Sequence, residues 1–547
     1  MAFGILECNG TLEQVPGTAQ LEVLPSKRMT HLKKGKGGDS HIVLIPQPSD
    51  DPNDPLNWPL WQRDSILLLY CFCTLMCVGG VGPLLAVITF PILQEFHLTF
   101  TQVSLLTGYQ LATVGAVVIF TSAVCTKYGK RGPFLISMAL LFSGTIWCAA
   151  STSYDTLLGA RIIQGLGAAV FEAITFALVG DLYHVHQRGS RMAFFVVSQS
   201  GLLLLPSLIA GQIGEHMNWR WVFWLLAIFL AVGFIGLLFL GWETTYKRNK
   251  IVSSLPNTTT TNELEDNKST HFGATHVENT ELESKDPEQF SATSPIAQSR
   301  DSFKKRLRPF SGIYAEESIL RLSLRPFYIM ANPIIVWSMI LIAFSQLWNV
   351  LINLLIAQIF AVPPYNLNTA QIGYILVGPM IGGLLGCLLC GLTSDPICRA
   401  ISKRNNGTYE PEFRLWIMAT VPIFCSLGYF TFGNLAERGE SPVVMSVIWG
   451  IAFVSVQVVT SSIGSYVVDA FPESTIEVFI VTTSIKNFVF FAFSFFMNNW
   501  LAEWGAARTF NTIGGIMLAM SATVIPVYVY GKRSRAWWHA KVVLRKS

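Results

Sequence analysis

Apolar residues in this chain gather into runs long enough to cross a bilayer, not into the short periodic stripes of a soluble core. A membrane-crossing helix needs about 20 mostly apolar residues. Such runs are predicted near 66–92, 102–125, 134–152, 158–181, 192–214 and 221–241, and again near 334–361, 371–394, 414–433, 442–467, 478–499 and 510–530. The pattern is six, a gap, and six. It divides the chain into a polar N-terminal segment (1–60), a six-helix unit (61–241), a central loop (242–333), a second six-helix unit (334–530) and a short basic tail (531–547).

The stretches between the runs are of different composition. The central loop carries TTTTNELEDNKST and ELESKDPEQFSATSP, rich in Ser, Thr, Asn and Glu and poor in large apolar residues. Such a segment cannot bury enough surface to fold alone, so a disordered tether is expected there, as in the first 60 residues. The loop ends in a basic stretch, KKRLRP at 304–309. No apolar leader precedes the first run, so insertion is expected to rely on that run itself. Lysine and arginine favour the cytosolic side of short loops. Lys127, Lys130, Arg131, Arg188, Arg191, Arg399, Lys403, Arg404 and the tail fall on one side, with few cations opposite. Both termini are therefore expected in the cytosol. Four N-x-S/T sequons (Asn9, Asn257, Asn267, Asn406) fall on that side, where no glycosylation is expected.

Composition narrows the class. Hydrophobic residues are 51% and charged residues 13%, about half the charged share of a soluble domain, and mean hydropathy is +0.45. The basic residues form no stripe and the aromatics lie inside apolar runs, so no nucleic-acid partner is expected. Most of the ten cysteines sit within spans and read as small apolar residues. Cys387 and Cys390 form a CxxC, but without a second pair or a nearby histidine. No phosphate-binding GxxxxGK[ST] or nucleophile–base constellation occurs, which argues against ATP as the driver and against an enzyme. No cofactor and no metal are expected.

Local motifs then identify a resemblance. LLGARIIQGLGAA (157–169) is similar to the RxxQGxGAA signature of the major facilitator superfamily, through Arg161, Gln164, Gly165, Gly167, Ala168 and Ala169. SAVCTKYGKRG (122–132) resembles its GxLaDrxGRr loop, keeping Lys127, Gly129, Lys130 and Arg131 but with Thr126 at the acidic position. The matching stretch of the second half, GLTSDPICR (391–399), keeps Gly391, Asp395 and Arg399, so the acidic latch member is expected in one half only. GLLLLPSLIAG (201–211) resembles the antiporter motif GxxxGPxxGG through Gly201, Pro206 and Gly211, with Leu205 and Ala210 at two glycine positions. DPNDPLNWP (51–59), FEAITFALVGDLYHVHQRGSR (171–191), KRNNGTYEPEFRL (403–415) and SYVVDAFPEST (465–475) resemble the fungal branch of twelve-span drug:proton antiporters, which includes polyamine- and histidinol-type carriers. The resemblance implies an all-α membrane fold of about 12 transmembrane helices, in two pseudo-symmetric six-helix bundles about a midplane cavity. It also implies a monomer in the plasma membrane, with the vacuolar membrane as alternative.

Ionisable residues at membrane depth are costly and are functional candidates by default. Arg161 either serves transport or snorkels to the outer interface. Glu172 follows it by eleven residues, nearly the same helix face and about 16 Å further along. A carboxylate there could load and release a proton, or face a cationic substrate; a structural partnership is the alternative. Lys486 lies at similar depth in the eleventh run and needs an acid, for which Glu172 is one candidate. Asp181, Asp469 and Glu477 lie near helix ends, where solvated or latch roles are expected. The superfamily resemblance places the first, fourth, seventh and tenth spans around the cavity. Gln346, Asn349 and Asn353 on the seventh, and Trp449, Phe453 and Gln457 on the tenth, are therefore substrate-contact candidates. The expected function is proton-coupled efflux of small organic compounds, with uptake of small cations such as polyamines as the alternative. The expected partners are that small molecule, protons and the lipid bilayer.

Overall fold

A bilayer core offers no water to backbone N–H and C=O groups, so a long apolar run must satisfy them internally, and a helix does so within one segment. The computed structural model describes residues 51–246, 300–405, 407–471 and 474–546, with short pieces at 4–6, 15, 17–20 and 48–49. The asparagines of the four sequons and residues 247–299 of the central loop lie outside the described residues.

Eleven helical stretches among the described residues are long and apolar enough to cross a membrane. In the first half these are the second span (Phe100–Tyr128), third (Arg131–Ala150), fourth (Tyr154–Leu182), fifth (Arg191–His216) and sixth (Trp219–Leu240). The second half has the seventh (Pro333–Phe360), eighth (Thr369–Arg404), ninth (Pro411–Arg438), tenth (Pro442–Ala470) and eleventh (Thr475–Ser494). The last stretch, Met497–Lys541, leaves the helical conformation at Gly505, which separates the end of the eleventh span from the twelfth. Antiparallel succession puts the two termini and the central loop at one end of the molecule, here the loop end; the opposite is the far end.

The first span corrects the expectation of one continuous helix over 66–92. It runs as Leu60–Thr74, a π-helical turn Leu75–Gly79, then short helices Leu84–Val87 and Thr89–Phe96. The cause is legible in GGVGP (79–83): Pro83 lacks an N–H, and the Gly79 backbone sits against the Leu203 carbonyl, where a Cβ would come within 2.5 Å. The fourth span is interrupted near Ile174, and the fifth breaks at residues 202–204, just before Pro206. Pro206 stands in the first turn of Leu205–His216, where its missing N–H costs nothing. Pieces of the N-terminal segment lie against the second half. Ala19–Gln20 pairs antiparallel with Thr408–Tyr409, and Ile5 packs on Cys398 and Phe413.

Two hydrophobic cores form, each drawn mainly from one half, and the halves meet where Leu84–Val87 packs on the seventh span and along two longer seams. One seam joins the second and eleventh spans. There Ser484 Oγ donates to the Gly115 carbonyl (2.8 Å), Asn498 Nδ2 donates to Ser104 Oγ (2.7 Å) and Tyr109 packs on Phe491. The other joins the fifth and eighth spans, where the Thr369 amide donates to Glu215 Oε2 (3.0 Å).

Within the second half, the eighth and tenth spans cross with backbones in contact. Gly378, Gly382 and Gly386 repeat every four residues along one face, and a Cβ at Gly382 would come within 2.1 Å of the Gly450 carbonyl. Gly382→Leu is expected to force the two helices apart. Folded yield should fall several-fold, for a cost of about 1–3 kcal/mol or more; size-exclusion chromatography of extracted protein measures it, and an unchanged monodisperse yield would contradict this packing account.

Candidate functional site

The fourth span carries Arg161 and Glu172 into two different environments. Arg161, seven residues from the far end, is fully buried. Its Nη1 donates to the Val81 carbonyl (2.8 Å) and to Gln164 Oε1 (3.0 Å), and its Nη2 approaches Thr107 Oγ1. Gln164 in turn donates to Thr145 Oγ1 (2.9 Å). The broken first span supplies Val81 O, a carbonyl that an unbroken helix would have used itself. Arg161 therefore does not snorkel to the interface, which corrects that alternative. It meets no carboxylate among the described residues, and its partners all belong to the first half. Gly165 allows this packing, since a Cβ there would meet the Gln110 carbonyl at 2.4 Å.

Glu172 looks elsewhere. Lys486 Nζ of the eleventh span donates to its Oε1, and Asn487 Nδ2 approaches its Oε2 (3.4 Å). The lysine and glutamate side chains are 12% and 10% exposed. Glu172 lies ten residues from Leu182 and Lys486 eleven from Thr475, each about 15–17 Å from the loop end. That is about half of a roughly 30 Å hydrocarbon core. The pair therefore spans the two halves at mid-membrane, which sequence alone offered only as one candidate pairing.

The polar candidates of the second half lie apart from this pair. Gln346 is half-buried; Asn349 and Gln457 are 8% and 6% exposed. Asn353 Nδ2 donates to the Asn349 carbonyl (2.8 Å), and the side-chain oxygens of Asn349 and Asn353 accept nothing among the described residues. Gln457 packs on Gly386 of the eighth span, so part of its side chain serves the eighth–tenth crossing. Trp348 is buried against Phe493, and Trp449 and Phe453 are buried in the core. Among the described residues no hydrogen bond joins Gln346, Asn349 or Gln457 to Glu172.

The loop end holds the latch residues, and the expectation of an acid in one half only is corrected. Lys130 pairs with Asp181 at the end of the fourth span, and Arg414 pairs with Asp469 at the end of the tenth. Each half thus has a cation where its third or ninth span starts, closed on an acid from the fourth or tenth. Asp395 is the outer, exposed partner of Arg414 (3.2 Å). Tyr409 donates to Asp469 Oδ2 (2.5 Å); burial, then the Asp469 charge, pushes its phenol above the ordinary range and keeps it a donor. Arg131 is buried, not a solvated loop cation. It donates to the Gly241 and Leu238 carbonyls and so caps the end of the sixth span. Glu243 accepts the Lys130 and Arg131 amides, and Gly129, at φ +90°, brings the chain close enough for this.

The fifth-span motif lies on a seam. A Cβ at Gly211 would come within 3.0 Å of the Gly373 Cα, and Gly201 sits against Leu384. Sequence reading missed Asn487 beside Glu172 and the buried acids of Glu410-Pro411-Glu412, whose signal was two carboxylates at the start of an apolar run. Arg535 falls within the stretch expected as a basic cytosolic tail (531–547). Arg535 is buried between Glu410 and Glu412, because the helix Val524–Lys546 carries the last span on past residue 531.

Comparison with known proteins agrees with this architecture. The profile described as Major Facilitator Superfamily matches residues 67–485. An MFS-type transporter of Schizosaccharomyces pombe is 27% identical, over 97% of this chain and 94% of its own. The MFS antiporter QDR3 of Candida albicans is 20% identical, over 90% and 81%. Among solved structures, the proton:xylose symporter XylE aligns with a TM-score of 0.53 at 14% identity, covering 86% of this chain and 96% of that one. The chain is a secondary transporter with an all-α membrane fold, not an enzyme, and it belongs to the major facilitator superfamily.

Proposed function

We propose that this transporter couples proton movement to the export of small organic compounds, with Glu172 as the proton-carrying group. The observation that carries this reading is the Glu172–Lys486 pair, one member from each half, at mid-membrane. Two halves that rock about a central site must change their relation at such a contact. Protonating Glu172 removes one of the two charges and frees Lys486 to move, so the proton and the motion become linked. Gln164 and Arg161 hold the fourth span that carries Glu172, while Gln346, Asn349 and Gln457 line the substrate path. Export is favoured by the fifth-span motif, whose Pro206 and Gly211 place a break and a close contact on a seam between the halves. The paired latches through Asp181 and Asp469 each tie two spans of one half together at the loop end. That end carries most of the lysine and arginine and faces the cytosol, with the plasma membrane as the site and the monomer as the working unit.

A second reading, uptake of small cations such as polyamines, draws on the buried side-chain oxygens of Asn349 and Asn353, which accept nothing among the described residues. Such acceptors suit a ligand rich in N–H donors. Accumulation of labelled spermidine and of a lipophilic dye, with and without a protonophore, separates the two. Lower dye content in expressing cells, restored by the protonophore, is the result expected for export. Higher spermidine content abolished by the protonophore would replace export with uptake.

A further inference from the structure

The chain between the halves contains a helix that the transport reading leaves unused. Ile319–Ile329 is capped by Ser318, whose side chain accepts from the Arg321 amide, and it turns two apolar faces outward from its axis. Leu322, Ser323, Pro326 and Ile329 are buried against the second and eleventh spans at the loop end, and Arg325 is held by Glu477 (3.3 Å). On the other side Leu320, Leu324, Phe327 and Tyr328, at helical spacing, are 67%, 48%, 48% and 70% exposed. A short helix with one apolar face in the protein and another bare, at the level where spans leave the membrane, has the form of an interfacial helix.

The charge around it is one-sided. Residues 300–329 hold seven cations (Arg300, Lys304, Lys305, Arg306, Arg308, Arg321, Arg325) against three acids (Asp301, Glu316, Glu317), an excess of four. Four of the cations are occupied by protein: Arg300 on Gln62, Lys305 on Asp301, Arg306 on the Asp301 carbonyl and Arg325 on Glu477. Lys304, Arg308 and Arg321 are exposed, and no ion pair or hydrogen bond to their side chains occurs among the described residues.

We propose that Ile319–Ile329, with the basic stretch before it, is a docking surface for anionic phospholipid headgroups. The apolar stripe enters the acyl boundary while Lys304, Arg308 and Arg321 take the headgroup charge. Because the helix bridges the second and eleventh spans, lipid held there bears on the seam between the halves. Each basic residue near an anionic surface adds a roughly additive attraction that salt screens.

The test uses full-length protein in detergent, titrated with dansyl-phosphatidylserine and, separately, dansyl-phosphatidylcholine. Wild type should prefer the serine lipid, and the preference should shrink at high salt. The triple variant Lys304→Gln/Arg308→Gln/Arg321→Gln touches no protein contact described above, so its fold should survive. Its preference should fall about tenfold or more, with phosphatidylcholine binding unchanged. A second variant, Leu324→Ser/Phe327→Ser, should weaken both lipids together. A triple variant with wild-type preference, or a wild type that binds both lipids equally, would overturn the proposal.

Discussion

Glu172→Gln is expected to abolish proton-driven transport, lowering the initial rate in proteoliposomes by roughly a hundredfold or more. Removing one partner of a buried ion pair leaves an uncompensated charge and costs about 3–5 kcal/mol, and each 1.4 kcal/mol is about tenfold in an equilibrium. In the variant Lys486 faces a neutral amide where its carboxylate partner stood, so the arrangement that joins the halves here loses its advantage. The halves should redistribute toward whichever state lets the ammonium reach water. Glu172→Asp keeps the charge on a shorter arm and should retain part of the activity. Glu172→Gln/Lys486→Met removes both charges, so it should fold well while transporting without dependence on an imposed pH gradient. This last variant separates coupling from folding: a merely structural pair would leave the pH dependence intact. A Glu172→Gln protein with wild-type rate and pH dependence would end the proposal.

What sequence could reveal of this site, and what it could not, follows from range. A span is a local property of some 20 residues, so all twelve were legible, and even the break in the first was written in Gly79, Gly80, Gly82 and Pro83. The depth of Glu172 and Lys486 was legible too, because helical rise converts residue number to height. Which way each side chain points was not. Arg161 and Glu172 fall on nearly the same face by helical phase. Yet one is enclosed by its own half and the other reaches across to the eleventh span, because different neighbours flank the helix at the two heights: the broken first span and the second span at Arg161, the eleventh at Glu172. Likewise the latch motif's acidic position in the first half is Thr126, which suggested asymmetry. The acid comes instead from Asp181, some fifty residues away in sequence and adjacent only once the third and fourth spans pack. Charge pairs that close over long sequence separations have no local signature.

Arg535 gives the largest expected effect on stability. Its guanidinium donates through Nε to Glu412 Oε1 (3.0 Å) and through Nη2 to Glu412 Oε2 (2.8 Å) and Glu410 Oε2 (3.0 Å). All three residues are about 1% exposed or less at the side chain. Lys532 stands 2.7 Å from Glu410 Oε1, and Thr18 Oγ1 donates to Glu410 Oε2 (2.7 Å). The cluster therefore ties the start of the ninth span, the middle of the last helix and a piece of the N-terminal segment into one buried unit. In Arg535→Ala, among the described residues, the two carboxylates keep Lys532, which pairs with Glu410, and Glu412 loses the cation it pairs with. A cost of about 3–5 kcal/mol is expected, read as a several-fold loss of monodisperse protein after extraction and a lower melting temperature. Arg535→Lys should fall between, since an ammonium cannot reproduce the planar fork that serves two acids at once. The decisive comparison is Glu412→Gln/Arg535→Met, which deletes the cation together with the acid it uniquely neutralises and leaves Glu410 with Lys532. If that double variant recovers most of the stability, the penalty in Arg535→Ala is the stranded charge. If it is as unstable as the single variant, the side chain's packing is what holds the loop end together and the electrostatic account fails.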